Sequence, residues 1–332
     1  MKLLILGGTV FLSATVASLA VQEGDEVVCL ARGQSGSAPE GVRWVRADRD
    51  AGTPAYAELP GEWDAVIDVS RSAPHARGAL DALGPRAAHW TYVSSCSVYA
   101  RNDEPGADET AELLPPYEGP AEPQTYGESK VASELAVQQA VGDRSLVVRS
   151  GLITGRGDPY GRFGYWPGRF ARERADRVLV PDAPWLRMQL IGVEDLARFI
   201  LTGARNVVTG TFNVMGDAEP LRRIIDRAQQ VAGHQGEQVL VDHDWLVERG
   251  VDYWMGPDSL PLWLPWDLRG HGERSTTAAR EAGLETRSMV QLTAEELAYE
   301  RELGLLRERR AGLSPAYEAG LLADWDAAPR RR

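Results

Sequence analysis

Short apolar runs alternate with helical segments through the first half of the chain. The runs have the length of buried strands and lie at residues 2–6, 26–31, 42–45, 65–69 and 90–94. Helical spacing of apolar residues occupies two of the intervals between them, at residues 11–21 and 74–83. Strands joined by helical crossovers pair in parallel, because a parallel neighbour needs a long connection. The pattern therefore predicts an α/β fold with a doubly wound parallel sheet.

The second half of the chain has a looser pattern. A long loop is predicted at 101–125, a helix at 126–141 and a strand at 145–149. Beyond Gly151 the pattern indicates helices at 191–202 and 221–232, a strand at 210–215, a tryptophan-rich segment at 244–270 and a helical tail at 293–325. We expect a second, smaller lobe here.

Composition excludes several classes of protein. The chain has 332 residues and a net charge of −12, which disfavours binding to nucleic acid or to an anionic membrane. Its two cysteines, Cys29 and Cys96, lie in apolar runs and are expected to be buried thiols in a reducing compartment. We expect a cytoplasmic protein without a signal peptide, a membrane span or a metal site. The terminal Arg330–Arg332 is expected to be a solvated end.

A glycine turn follows the first predicted strand. Gly7-Gly8-Thr9 leads directly into a helix, so backbone N–H groups and the helix dipole face a position where a pyrophosphate can bind. A purely structural turn is the alternative. The candidate cofactor-binding residues of this turn are Gly7, Gly8, Thr9, Val10, Phe11 and Leu12.

Two further residues are candidates for the adenosine end of a dinucleotide. Arg32 follows the second strand, where an acidic residue would bind the ribose hydroxyls and an arginine suits a 2′-phosphate. This slightly favours NADP over NAD, although a solvated arginine is equally compatible with the position. Asp48 follows the third strand and is a candidate contact for the adenine edge.

Tyr126 and Lys130 form the strongest candidate pair. They lie four residues apart near the start of a predicted helix and therefore share one face. A phenol has a pKa near 10 and is a poor base at neutral pH, but a neighbouring ammonium stabilises the phenolate. Upstream, Ser95 at the end of a strand offers a hydroxyl that can orient a substrate oxygen toward Tyr126.

Together these motifs resemble the extended short-chain dehydrogenase/reductase family, the NAD-dependent epimerase/dehydratase group. The motifs that carry the resemblance are Gly7-Gly8-Thr9, the serine-rich strand end at 94–99, Tyr126-Gly127-Glu128-Ser129-Lys130, and the segments at 149–155, 193–197 and 212–214. The resemblance implies that Ser95, Tyr126 and Lys130 are catalytic, and that Tyr126 and Lys130 also contact the cofactor. It also implies a Rossmann-type NAD(P)-binding domain at 1–150, to which 190–215 returns, and a mostly substrate-binding lobe with C-terminal helices at 151–330.

The glycine turn departs from the family pattern. Where the family usually has three glycines, this chain has Gly7, Val10 and Ser13. Valine does not readily adopt a backbone conformation reserved for glycine, so we expect the loop geometry to differ at Val10. Ser13 is small enough to allow close packing of the helix on the sheet.

The segment after the sixth strand supplies candidate substrate-binding residues. Arg162 and Arg169 could clamp an anionic group, and Trp166 could stack on a ring. Surface arginines and a tryptophan packed in the core of the lobe are the alternative.

Several functions are compatible with these residues. The first is an NADP(H)-dependent oxidoreductase that acts on a carbonyl or alcohol of a small molecule. The second is a nucleotide-sugar epimerase or dehydratase, in which NAD is reduced and reoxidised within one turnover. A non-enzymatic NADP-binding regulatory protein is a third, suggested by the altered glycine turn, and RNA binding, as in a chloroplast relative, is disfavoured by the acidic charge. A homodimer is common in the family.

Overall fold

The computed structural model describes residues 1–119, 122–173 and 176–328. The strands are β1 (Lys2–Leu6), β2 (Glu26–Leu30), β3 (Arg43–Val45), β4 (Trp63–Asp68), β5 (Ala87–Ser95), β6 (Ser145–Ser150), β7 (Leu152–Thr154), β8 (Val178–Asp182), β9 (Arg187–Met188), β10 (Leu190–Gly192), β11 (Gly210–Val214), β12 (Glu219–Pro220), β13 (Gln238–Asp242), β14 (Asp252–Tyr253), β15 (Gly256–Pro257), β16 (Ser259–Leu260) and β17 (Ala311–Gly312).

The helices are α1 (Phe11–Gln22), α2 (Ala73–Leu83), α3 (Tyr126–Val141), α4 (Tyr165–Arg172), α5 (Val193–Arg205), α6 (Leu221–Ala232), α7 (His243–Glu248), α8 (Thr277–Glu281), α9 (Met289–Leu303) and α10 (Pro315–Ala327). Residues 120 and 121 of the predicted loop at 101–125 lie outside the described residues, as does the arginine-rich terminus at 330–332.

A parallel sheet organises the first half of the chain. Its seven described strands follow the order β11-β6-β5-β4-β1-β2-β3, and every neighbouring pair is parallel. In the register of the centre, Leu3 of β1 lies between Val27 of β2 and Ala65 of β4. The doubly wound parallel sheet expected from the alternating pattern is confirmed.

The two faces of the sheet bury separate cores. Successive side chains of a strand point to opposite faces, so Leu3 and Ile5 pack into one core with residues of α1 and α5. Leu4 and Leu6 pack into the other core with residues of α2 and α3. The continuous apolar run of β1 is required because both of its faces are covered.

The chain divides into two compact units. Unit 1 comprises residues 1–153, 191–216 and 274–286 and contains the parallel sheet with the helices that cover it. Unit 2 comprises the remaining residues, and within it α4 packs on α6 and on α9, and β8 pairs with β13. The segment 274–286, which contains α8, was expected in the C-terminal lobe but belongs to unit 1, where α8 packs on β11.

Two helix predictions need correction. The predicted helix at 191–202 is α5, which begins two residues later, because Leu190–Gly192 forms the short strand β10 that pairs with β7. The predicted helical tail at 293–325 is two helices, α9 and α10. Gly304 adopts a φ of +92° directly after α9, a conformation that side chains of L residues rarely adopt, and the helix ends there.

Candidate active site

The glycine turn between β1 and α1 requires glycine at both positions. Gly7 and Gly8 adopt φ values of +126° and +92°. A Cβ atom on Gly8 would lie 2.1 Å from the Cys29 sulfur, and one on Gly7 would lie 2.8 Å from a methyl group of Val69. The turn is therefore held close against the ends of β2 and β4.

The two altered positions of the turn, Val10 and Ser13, are accommodated without backbone strain at Val10. Val10 is extended, with φ −143° and ψ 135°, which any residue adopts easily. The left-handed conformation falls on Phe11 instead, at φ +42°. Ser13 is buried, and its hydroxyl donates to the Val10 carbonyl at 2.8 Å.

Helix α1 begins without a capping side chain among the described residues. Val10 occupies the N-cap position and has no polar atom to accept a hydrogen bond, and the first turn contains no acidic residue. The first N–H groups of a helix have no partner within the helix, and they carry the positive end of its dipole. This end of α1 therefore fits a phosphate group.

A cleft of about 500 Å³ in unit 1 runs along these strand ends. It is lined by the turn and by the ends of the neighbouring strands and helix: Leu6, Gly7, Thr9, Val10, Phe11, Leu12, Ser13, Leu30, Ala31, Arg32, Gly33, Gln34, Ser35, Ala47, Asp48, Arg49, Val69, Ser70, Arg71, His75, Val93, Ser94, Tyr126, Lys130, Ser150 and Ile153. Most of the candidate cofactor residues share this cleft with Tyr126 and Lys130. Gly8 instead packs beneath the turn against Cys29.

Two carboxylates lie beside Arg32. The Arg32 guanidinium is 3.9 Å from the carboxylates of both Asp48 and Asp50. Asp48 also accepts a hydrogen bond from the backbone N–H of Asp50 at 3.0 Å. Asp50 in turn is 2.6 Å from the His75 imidazole. The end of the cleft at Arg32 thus carries two acidic groups, of which sequence reasoning places Asp48 there and misses Asp50.

Lys130 is held by carbonyl groups at two strand ends. Its ammonium donates to the carbonyls of Ser70 at 2.7 Å and of Val93 at 2.6 Å, and it lies 5.8 Å from the centre of the Tyr126 ring. The pKa of Lys130 is lowered to about 7, mainly because burial disfavours the ammonium. The Asp68 carboxylate opposes this shift, whereas the Arg71 guanidinium adds to it.

The serine-rich strand end presents Ser94 to the cleft. Ser95, the residue implied as catalytic by the family resemblance, accepts a hydrogen bond from the Ser97 N–H and donates to the Ser97 hydroxyl, both at 3.2 Å. It caps the helical turn at 96–98. Because neighbouring residues of a strand point to opposite sides, Ser94 rather than Ser95 lines the described cleft.

A buried network fixes this strand end. The Ser94 hydroxyl donates to the Glu134 carboxylate, which forms a two-pronged ion pair with Arg149 at 2.7 and 3.1 Å. Arg149 also donates to the Tyr99 hydroxyl at 3.1 Å, and that hydroxyl donates to Asn213 at 2.6 Å. Sequence reasoning missed Glu134, although it follows Lys130 by one helical turn on the same face of α3.

Two of the three predicted substrate-binding residues lie in the core of unit 2. Trp166 is fully buried and donates its indole N–H to the Pro261 carbonyl at 2.9 Å. Arg169 is buried in an ion pair with Glu318. Their side chains pack within unit 2 and offer no surface to a ligand, which corrects the prediction for both. Arg162 lies over the Trp254 ring, with its guanidinium carbon 4.9 Å from the ring centre.

Neither a metal site nor a membrane span is found among the described residues. No group of three or more His, Cys, Asp or Glu side chains in this part of the chain could hold a metal ion. No helix within the described ranges is long and apolar enough to cross a bilayer.

Known structures share this architecture. A UDP-glucose 4-epimerase of Thermotoga maritima, solved with UDP-glucose, aligns with a TM-score of 0.66 at 17% identity over 91% of this chain and 99% of the epimerase. A UDP-glucuronic acid 4-epimerase of Bacillus cereus, solved with NAD, aligns with a TM-score of 0.65 at 12% identity over 94% of this chain and 100% of the epimerase. The chain has the fold of the extended short-chain dehydrogenases/reductases. At these identities the similarity establishes the fold.

Sequence comparison adds one curated relative. The chloroplast stem-loop binding protein of 41 kDa b of Arabidopsis thaliana is 28% identical over 239 residues, which are 65% of this chain and 59% of that protein. The chain thus matches less than two thirds of the length of that relative. No family model matches the chain.

Proposed function

We propose that the chain is an NAD-dependent enzyme of the nucleotide-sugar epimerase/dehydratase type. The observation that carries this proposal is that Tyr126 and Lys130 lie in the same cleft as the glycine turn and the uncapped start of α1. The start of α1 suits the pyrophosphate of a dinucleotide. The proton-transfer pair in the same cleft suits a substrate whose carbon exchanges a hydride with that dinucleotide. The solved structures of the same fold include epimerases with NAD or UDP-glucose.

The residues of the chain have separate tasks in this proposal. Residues 7–12 hold the pyrophosphate, and Lys130 fixes the nicotinamide ribose and favours the Tyr126 phenolate. Tyr126 takes the proton from the hydroxyl of the substrate and later returns it. The family resemblance would place the hydroxyl of Ser95 on the same oxygen, but Ser95 lies outside the lining of the described cleft and bonds to Ser97. The bound dinucleotide supplies hydride acceptance and return.

We propose NAD rather than NADP as the cofactor. Arg32 taken alone slightly favours NADP, but Asp48 and Asp50 both lie beside this arginine. A 2′-phosphate would add negative charge next to two carboxylates, whereas ribose hydroxyls can donate to them. The NAD complexes among the structural neighbours agree with this choice.

Release of the bound nucleotide tests this function. An enzyme that reduces and reoxidises its cofactor within one turnover has no need to exchange it, so we expect NAD to remain bound through purification. Denaturation of the purified chain, followed by mass spectrometry, should therefore yield NAD in an amount comparable to that of the chain. Recovery of NADPH, or a nucleotide that exchanges at every turnover, would instead indicate an NADP(H)-dependent oxidoreductase that oxidises or reduces its substrate.

RNA binding is a second candidate function. It rests on the Arabidopsis relative, whose name describes stem-loop binding. The net charge of −12 opposes it, because binding to nucleic acid depends on cationic groups that neutralise phosphates. Fluorescence anisotropy of a labelled RNA hairpin at low salt tests this second function. A rise in anisotropy on adding the chain that disappears at higher salt would support RNA binding.

A further inference from the structure

Arg71 occupies the cleft in direct contact with the proton-transfer residue. It follows the end of β4, lines the same cleft as Tyr126 and Lys130, and is exposed. The carbon of its guanidinium lies 5.1 Å from the centre of the Tyr126 ring. The carboxyl ends of parallel strands meet at one edge of a sheet, which brings Arg71 to the residues at the end of β5 and the start of α3.

The charge of Arg71 has no carboxylate partner in the described part of the chain. Arg71 takes part in none of the ion pairs there, although many of the other arginines do. The nearby carboxylate of Asp68 is fully buried and bonds to Arg49 at 3.0 Å, and that of Glu134 bonds to Arg149.

The surroundings of Lys130 point in the same direction. Arg71 lies close enough to Lys130 to lower the pKa of Lys130, because the two cations repel each other. An anionic group on a bound molecule would relieve this repulsion. The phosphates of the cofactor have their own binding groups at the start of α1.

We propose that Arg71 binds an acidic group of the substrate, a carboxylate or phosphate placed next to the carbon whose hydroxyl Tyr126 deprotonates. A guanidinium suits this role because its planar fork makes paired hydrogen bonds to such a group. Arg71 is then a specificity-determining residue that selects acidic over neutral sugars. This inference rests on the proposed function and names the substrate class of the same site.

A matched pair of nucleotide sugars tests the assignment. UDP-glucuronate and UDP-glucose differ by a carboxylate in place of a hydroxymethyl group, on the carbon next to the one that a 4-epimerase oxidises. Calorimetry with the NAD-loaded full chain should show that UDP-glucuronate binds at least about tenfold more tightly than UDP-glucose. Arg71→Gln should abolish this preference and leave the affinity for UDP-glucose within about threefold of the wild type.

The control is Arg77→Gln on α2, which removes an exposed arginine paired with Glu118 outside the cleft. It should keep the preference for UDP-glucuronate. The assignment is overturned if the NAD-loaded wild type binds both nucleotides equally or neither, or if Arg71→Gln keeps the preference.

A titration with NADH, made on protein stripped of its bound nucleotide, separates this inference from the proposed function. Arg71→Gln should bind NADH within about threefold of the wild type, because Arg71 contacts the substrate. A large loss of NADH affinity in this variant would make Arg71 a cofactor-binding residue and overturn the substrate assignment. Failure of the wild type itself to bind NADH would instead refute the proposed function.

Discussion

Replacing Tyr126 with phenylalanine is expected to lower kcat by about 10²- to 10⁴-fold and to leave the affinity for NADH nearly unchanged. The substitution removes only the phenol oxygen, which is the atom that moves the proton in the proposed reaction. The ring keeps its contacts with the guanidinium of Arg71 and the ammonium of Lys130, which lie 5.1 and 5.8 Å from its centre. Binding groups for the phosphates at the start of α1 are untouched.

The measurement is turnover of the nucleotide sugar that the wild type accepts, combined with an NADH titration of the same variants after the bound nucleotide has been removed. Tyr317→Phe is the matched control, because it removes a phenol oxygen in unit 2 that donates to the Arg249 carbonyl at 3.0 Å. The control should retain full activity. A Tyr126→Phe variant with wild-type kcat would remove Tyr126 from the mechanism.

Loss of the Arg149 guanidinium should strongly destabilise unit 1. In Arg149→Met the carboxylate of Glu134 stays buried without its ion-pair partner, and breaking a buried pair in this way costs about 3–5 kcal/mol. The same change disconnects Tyr99 from the network that holds Ser94. We therefore expect a large fall in the midpoint of urea denaturation, accompanied by reduced activity.

Two further variants test whether the loss of stability in Arg149→Met comes from the buried ion pair. Arg156→Met breaks an ion pair with Glu302 whose side chains are 65% and 55% exposed, and such an exposed pair contributes little to stability because solvent screens it. Combining Arg149→Met with Glu134→Leu removes the stranded carboxylate and should recover part of the lost stability. Equal midpoints for Arg149→Met and Arg156→Met would show that the buried pair contributes little.

Much of unit 1 follows from its local sequence. The continuous apolar run of β1 supplies side chains to both cores. Leu3 and Ile5 point into one core and Leu4 and Leu6 into the other, because the pleat of any strand sends successive side chains to opposite faces. Helix α3 has the bounds that helical spacing predicts, 126–141. Its pair Tyr126 and Lys130 meets the glycine turn in one cleft because parallel strands end at a common edge.

Other features depend on contacts between distant segments. Which of Ser94 and Ser95 faces the cleft is decided by the twist and pleat of β5 within the sheet, and local spacing does not determine this. Trp166 and Arg169 are residue types that often bind ligands. Here their polar groups bond to Pro261 and Glu318 instead, and both of these partners lie far away in the chain. Arg71 carries no motif, and its proximity to Tyr126 appears only when β4 and α3 are placed together.

The central claim is that the start of α1 binds the phosphates of a nicotinamide dinucleotide. Val10 occupies the N-cap of this helix in extended conformation, where aspartate and asparagine are both favoured. Val10→Asp should therefore stabilise the helix, since it adds both a cap and a negative charge near the positive end of the dipole. The same carboxylate would repel a pyrophosphate and compete for its N–H donors.

NADH titration of the wild type, Val10→Asn and Val10→Asp, each first stripped of bound nucleotide and refolded, tests the claim most directly when it is monitored by nicotinamide fluorescence. Val10→Asn is the matched control, because it supplies a cap of the same shape without the charge. We predict saturable binding by the wild type, a modest loss for Val10→Asn, and a loss of at least about tenfold for Val10→Asp, whose melting temperature is no lower than that of the wild type. Equal NADH affinity in the wild type and Val10→Asp, or no binding by the wild type, would contradict it.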